Sequence, residues 1–237
     1  MKNKIQFQSA VFGFTDKSSP GPAESDAEIR QSMLRDWKND CEAQKLAKSA
    51  HALGVGEIIV ANRDIDENDF QGQYIYARDS RGFNEKSLKP WNLSPRQFAT
   101  VNRALCSDRD VILVSYQSDF AATLAHELGH YINRRLGGLS RFELSTFKVA
   151  AELSRVTDNM RRVARFGEYF FQNRDEYYAE TWSRFLCGEK KNRALFRYLK
   201  RPLDRLRMKH PQKARLILEL AKATSCNRTR ETPGHSR

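Results

Sequence analysis

Between Phe120 and Gly138 the chain reads FAATLAHELGHYINRRLGG, and this stretch limits the possible folds more than any other. Two histidines four apart, His126 and His130, flank Glu127. On a helix, four residues advance about 6 Å and return to within roughly 40° of the starting direction. The two imidazoles then project side by side, as two ligands of one ion must. Glu127 points into a neighbouring sector, from which a carboxylate can reach a metal-held water without binding the metal itself. Leu124, Leu128 and Ile132 form a separate apolar stripe that can anchor such a helix. Ala122, Ala125 and Gly129 are small and are expected to leave room near a metal. Ser118 is the expected cap, and Gly137-Gly138 the expected stop. The bland alternative makes the histidines ordinary polar groups. It does not explain why two of only five fall at ligand spacing around a glutamate.

A catalytic zinc keeps three protein ligands and one open position. A third histidine ten residues after the first, with a glycine three before it, is excluded because those positions are Leu136 and Asn133. A downstream glutamate is the alternative, and two qualify. Glu152, 22 residues after His130, sits in VAAELSRVTD, where a solvent-facing acid on a long helix explains it as well. Glu176, 46 residues after His130, begins EYYAETW, and Glu180 follows one helical turn later. Ala179 and Ser183 are small residues on the same face, so this helix could approach the histidine helix closely. One carboxylate could ligate while the next orients a ligand histidine. A capping box from Asn173 to Glu176 and plain surface charge at Glu180 are the competing explanations. Glu176 is the stronger candidate, with Glu152 as the alternative.

The rest of the chain reads as α+β, with a small mixed sheet before about residue 118 and mostly helices after it. EIIVANR (57–63), GQYIYARDS (72–80) and DVILVSY (110–116) are strand-like. The run Val111 to Tyr116 is expected to offer an edge on which extended peptide can pair. Helices are expected over 26–53, over 94–105 with Ser94 as cap and Pro95 first, over 139–166 and over 173–186. A helical C-terminal third is broken at Pro202 and Pro211. One domain is expected over 26–224, between a flexible leader (1–25) and a disordered tail (225–237). DIDEND (64–69) lacks the central glycine and final glutamate of a calcium loop.

The sequence resembles the gluzincin metalloproteases of the lethal-factor-like family, the catalytic domain of anthrax lethal factor and its relatives. That family joins an HExxH helix to a later helix of the form E-[FY]-[FY]-A-E-x-[FW], and here HELGH (126–130) and EYYAETW (176–182) stand at a similar separation. The resemblance covers roughly residues 110–190. It implies a zincin-like fold, Zn2+ held by His126, His130 and Glu176, and Glu127 as general base. It also implies Glu180 as support behind a ligand. Tyr169, seven residues before Glu176 as in the family, would stabilise the oxyanion or assist the leaving group. The implied activity is zinc-dependent endopeptidase action on specific proteins, by a bacterial effector or toxin inside a host cell.

Composition bears on partners. The chain has 237 residues, 41 Lys and Arg against 29 Asp and Glu, and a net charge of +12. Such a field favours anionic partners. A substrate with an acidic segment is expected ahead of nucleic acid, because the Lys/Arg-rich stretch 190–215 spreads its charge around helices. The competing classes are a basic zinc-containing binding protein without peptidase activity and a housekeeping bacterial peptidase. Cys41, Cys106, Cys187 and Cys226 are widely spaced and suggest reduced thiols in a cytosol. No apolar run is long enough to span a membrane, and no signal-peptide pattern opens the chain. A monomer is expected, exported by a signal-peptide-independent route or otherwise cytoplasmic.

Overall fold

A computed structural model of the chain describes residues 39–61, 72–78, 88–91, 93–115, 119–138, 174–187 and 193–223, with residues 32, 35 and 36 besides. Three strands, β1 (Glu57–Ala61), β2 (Gly72–Ile75) and β3 (Val111–Ser115), form one mixed sheet in the order β1-β3-β2. β3 runs parallel to β1, with Glu57 opposite Val111. It runs antiparallel to β2, with Gly72 opposite Val114. The run from Val111 is therefore central rather than an edge. All five of its residues are buried, which is why it reads as continuous apolar sequence without alternation. β2 is shorter than the 72–80 expected from its composition.

Six helices surround this sheet among the described residues: α1 (Cys41–Leu53), α2 (Pro95–Cys106), α3 (Phe120–Arg134), α4 (Arg174–Leu186), α5 (Arg193–Lys209) and α6 (Pro211–Ala223). Alternate strand residues divide the interior into two cores. Ile58, Val60, Ile112 and Val114 pack with Leu46, Leu124, Leu128 and Trp182 from the helical side. Ile59, Val111 and Leu113 face the other way, onto Val101, Ala104 and Trp91. The sheet is thus a middle layer.

Local signals place several of these elements. Gly54, at φ 108, closes α1 in the left-handed region, and Tyr131 Oη on α3 donates to the Leu53 carbonyl at 2.9 Å. Ser94 and Gln97 form a reciprocal capping box at α2. The Gln97 amide, fully buried, also donates to the Val60 carbonyl at 3.1 Å and ties α2 to β1. Asp119 rather than Ser118 caps α3, its Oδ1 accepting the Ala122 N–H at 3.0 Å. α3 ends at Arg134, and Gly137 at φ 69 lets the Gly138 N–H return to the Ile132 carbonyl at 3.0 Å.

Pro202 does not break its helix; it lies inside α5. Proline there forgoes one backbone bond, but Leu199, Leu203 and Leu206 on both sides of it are buried, and their burial outweighs the loss. The break expected at Pro211 is present, since α5 ends at Lys209 and α6 begins at Pro211. The leader, the calcium-like stretch, the 139–166 helix and the tail lie outside the described residues. So do Glu152, Tyr169 and Cys226.

Candidate metal centre

α3 and α4 cross with backbone against backbone. A Cβ built on Gly129 would stand 2.6 Å from the Ala179 carbonyl oxygen and 2.7 Å from its Cα. Ser183 Oγ, one turn on, donates to the Ala122 carbonyl at 3.3 Å. The small residues at 122, 129, 179 and 183 therefore make room for α4. For Gly129 this replaces the expectation that it leaves space beside a metal.

That close approach brings one carboxylate between the two histidines. Glu176 Oε2 lies 3.1 Å from His126 Nε2 and 3.3 Å from His130 Nε2. One ligand atom from each of these residues falls within 4.8 Å of the others. Ligand atoms about 2.0–2.1 Å from a tetrahedral zinc stand about 3.3 Å from one another. The donor set, two imidazoles and one carboxylate, and its observed spacing fit such an ion.

Behind the histidines stand two further acids. His130 Nδ1 is 3.2 Å from Asp175 Oδ2, and His126 Nδ1 is 3.4 Å from Glu180 Oε2. Each acid is held by an arginine. Arg134 reaches Asp175 Oδ2 at 2.9 Å through Nε and 2.8 Å through Nη2, and Arg184 Nε donates to Glu180 Oε1 at 3.0 Å. Asp175 Oδ1 accepts from the Asn133 amide at 3.3 Å, and Asn133 accepts in turn from the Trp182 indole at 2.9 Å. This arrangement turns both Nε2 atoms toward Glu176. With neutral imidazoles, four carboxylates (Glu127, Asp175, Glu176, Glu180) against two arginines leave two negative charges, the complement of one divalent cation.

Asp175 has no role in the sequence reading. Its signal was Arg134, four residues after His130 and so on the same helical face, with an acid directly before Glu176 as the partner to look for. Removing the acid behind a metal-binding histidine typically costs ten- to a hundredfold in affinity. Asp175→Ala is therefore expected to weaken zinc by about that factor, with Asp175→Asn falling between it and wild type. Competition against a chromophoric chelator measures both, and unchanged affinity in the alanine variant rules out this role.

Glu127 turns the other way, toward β2. It is 5% exposed, and Gly72 leaves space for it: a Cβ there would meet Glu127 Oε1 at 2.5 Å and Cγ at 2.8 Å. Burial pushes the Glu127 pKa up, against the pull of the two histidines and the Tyr74 N–H. The Tyr74 ring lies parallel to His130 at 6.5 Å between centroids, and its hydroxyl donates to Asp110 Oδ2 at 2.8 Å. β2 thus borders the general-base candidate and one ligand candidate together.

Burial alone would lower both histidine pKa values. The bonds to Glu176 and Glu180 outweigh it at His126, which rises to about 9, and those to Asp175 and Glu176 outweigh it at His130, which rises to about 10. Glu176 and Asp175 are held below their ordinary range by the same contacts, although burial opposes this. Histidines raised in the fold contribute stability that is full below 6.5 and lost as pH climbs through 9 to 10. The two depressed acids contribute stability that is present above their ordinary values and lost in acid. The metal-free chain should therefore be most stable between about pH 5 and 6.5. A zinc ion held there would have to displace both histidine protons, so its stabilising effect should grow with pH. Melting temperatures of metal-free and zinc-loaded protein from pH 5 to 9 check this, and a gap that fails to widen with pH contradicts it.

No family model, curated protein or solved structure matches the chain. Cys41 and Cys106 are exposed free thiols.

Proposed function

We propose that the chain is a zinc-dependent endopeptidase of the gluzincin type, zincin-like in fold and similar to the lethal-factor-like family, cutting a few specific proteins. The observation that carries this reading is the convergence of both HELGH Nε2 atoms on Glu176, at 3.1 and 3.3 Å, from a helix 46 residues further on. His126, His130 and Glu176 would hold the ion. Zinc bound there supplies Lewis acidity, acidifying a water and polarising a carbonyl.

Glu127 takes the proton from the attacking water on its carboxylate and passes it to the departing amine nitrogen. Its buried position, with a raised pKa, suits it to hold that proton between the two steps. Asp175 and Glu180 keep the imidazoles oriented. β2 has β3 on one side and no strand on the other among the described residues. Its outer edge, beside Glu127, is where extended substrate would pair. This moves the expected substrate edge from β3 to β2. Tyr169, as oxyanion or leaving-group partner, rests on the resemblance alone.

A role as a bacterial effector acting in a host cytosol is supported by that resemblance and by the wide spacing of the cysteines in sequence. No helix among the described residues is long and apolar enough to cross a membrane. Metal analysis should find about one zinc per chain, lost in Glu176→Ala. Proteome-wide profiling of new N-termini, comparing wild type with Glu127→Ala in host and bacterial extracts, tests the activity. New termini dependent on Glu127 support it; none in any extract, from a zinc-loaded protein, would sink it.

A further inference from the structure

We propose that Asp110 is a positioning residue for the general base: through the Tyr74 hydroxyl and the Ala77 N–H it fixes strand β2 over Glu127. That Glu127 acts as a base rests on the peptidase reading, whereas the brace itself does not. Asp110 immediately precedes β3 and is 1% exposed, yet it has no part in metal binding or proton transfer. Placing a carboxylate in the interior is costly unless its oxygens are satisfied. Burial accordingly pushes its pKa up, against the bonds from Ala77 and Tyr74. The common explanation for such a group is a tie within the fold. Three observations give this tie a direction.

The first is what Asp110 stands on. Its carbonyl accepts the Gly56 N–H at 2.9 Å and the Glu57 N–H at 3.3 Å, which fixes it to the start of β1. Arg135, at the C-terminal end of α3, brings Nε to 3.9 Å from Asp110 Oδ2, while Asp108 holds its guanidinium at 2.9 and 3.1 Å. Asp110 is therefore a fixed post within the sheet, beside the end of the histidine helix. The second is what it holds. Its two oxygens take one donor each: Oδ2 from Tyr74 Oη at 2.8 Å, and Oδ1 from the Ala77 N–H at 2.9 Å. β2 pairs with β3 from Gly72 to Ile75, so the Ala77 bond extends the hold two residues past the last pair. The third is where β2 runs. Its backbone at Gly72 passes so close to α3 that a Cβ there would meet Glu127 Oε1 at 2.5 Å and Thr123 Cγ2 at 2.7 Å. The Tyr74 N–H bonds to the Glu127 carboxylate. The Tyr74 ring lies parallel to His130 at 6.5 Å and edge-on to Tyr131 at 6.1 Å. Slack in β2 is therefore passed directly to the base.

A carboxylate suits this duty better than an amide. Both of its oxygens accept, so the hydroxyl and the N–H are held at once, and bonds to a charged acceptor are short and strong. An asparagine accepting from Ala77 would turn its amide nitrogen toward the Tyr74 oxygen, a neutral and weaker contact. A four-residue strand at the edge of a sheet otherwise opens readily. A reacting group misplaced by about 1 Å can lose about a hundredfold in rate.

The test uses the full zinc-loaded chain as wild type, Tyr74→Phe, Asp110→Asn and Asp110→Ala. Tyr74→Phe keeps the ring against His130 and deletes only the tether, so it reads the brace even where Asp110→Ala fails to fold. Amide hydrogen exchange, followed by mass spectrometry, should quicken over 72–77 by about tenfold or more in Tyr74→Phe and stay unchanged over 41–53. On a peptide whose cleavage depends on Glu127, kcat should fall about tenfold or more while KM stays within about twofold. Asp110→Ala should match this loss, and Asp110→Asn should recover part of it. In a Glu127→Gln chain, Tyr74→Phe should lower turnover no further, because the two residues act as a unit. Unchanged exchange over 72–77, a loss in KM alone, or an equal loss in the Glu127→Gln chain overturns the proposal. A chain that cleaves nothing yet exchanges as expected sinks the peptidase reading and leaves the brace; cleavage with unchanged exchange does the reverse.

Discussion

Glu127→Gln should lower peptide hydrolysis by about a hundredfold to ten-thousandfold, yet leave zinc bound and melt no earlier than wild type. The two halves of this expectation have separate causes. Turnover falls because an amide cannot take the proton that a carboxylate takes. Stability holds because burial drives the Glu127 pKa upward. A carboxyl raised in the fold binds its proton more tightly there than in the unfolded chain. Above its ordinary value of 4.5, keeping the charge inside therefore costs stability as pH rises. Glutamine has the same shape, fits the space left by Gly72, and removes that cost. Single-turnover rates on a cleaved peptide, zinc per chain and melting temperature at neutral pH read the three quantities. A glutamine variant keeping more than about a tenth of the wild-type rate would take Glu127 out of its role.

How much of this was legible in the sequence depends on how far each determinant lies along the chain. The α2 cap was readable because Ser94, Pro95 and Gln97 act on one another within three residues. The histidine pair was readable because its geometry belongs to a single helix. The position of β3 was not: an all-apolar run says that both faces are covered, and both cores do cover it, but pairing partners decide whether it is edge or centre. Ser118 and Asp119 are adjacent residues of equal capping ability, and their order of use is set by where α3 docks. Pro202 misled because its local penalty is visible in sequence, while the burial of Leu199, Leu203 and Leu206 is a property of the assembled core. Asp175 was hidden for a related reason. Its partners, His130, Asn133 and Arg134, lie more than 40 residues away and meet it only after two helices cross.

That crossing makes Gly129→Ala the sharpest structural test of the centre. At an ordinary helical position the change would gain about 0.5–1 kcal/mol. Here the sign should reverse, because the new Cβ would lie 2.6 Å from the Ala179 oxygen, 2.7 Å from its Cα and 3.0 Å from its carbonyl carbon. These are main-chain atoms with no rotamer to escape into, so α4 itself must retreat. Overpacking of this kind costs about 1–3 kcal/mol, more than the helix gains. Asp175 and Glu176 ride on α4 within about a turn of Ala179, so the retreat lengthens their contacts with both histidines. Gly129→Ala should therefore lower the melting temperature and weaken zinc by about tenfold or more. Ala179→Gly in the same chain should restore neither, because it removes a methyl group and leaves the contacted main chain in place. A Gly129→Ala protein as stable as wild type, with its zinc affinity intact, would mean that the helices do not approach this closely and that Glu176 reaches the histidines by some other packing.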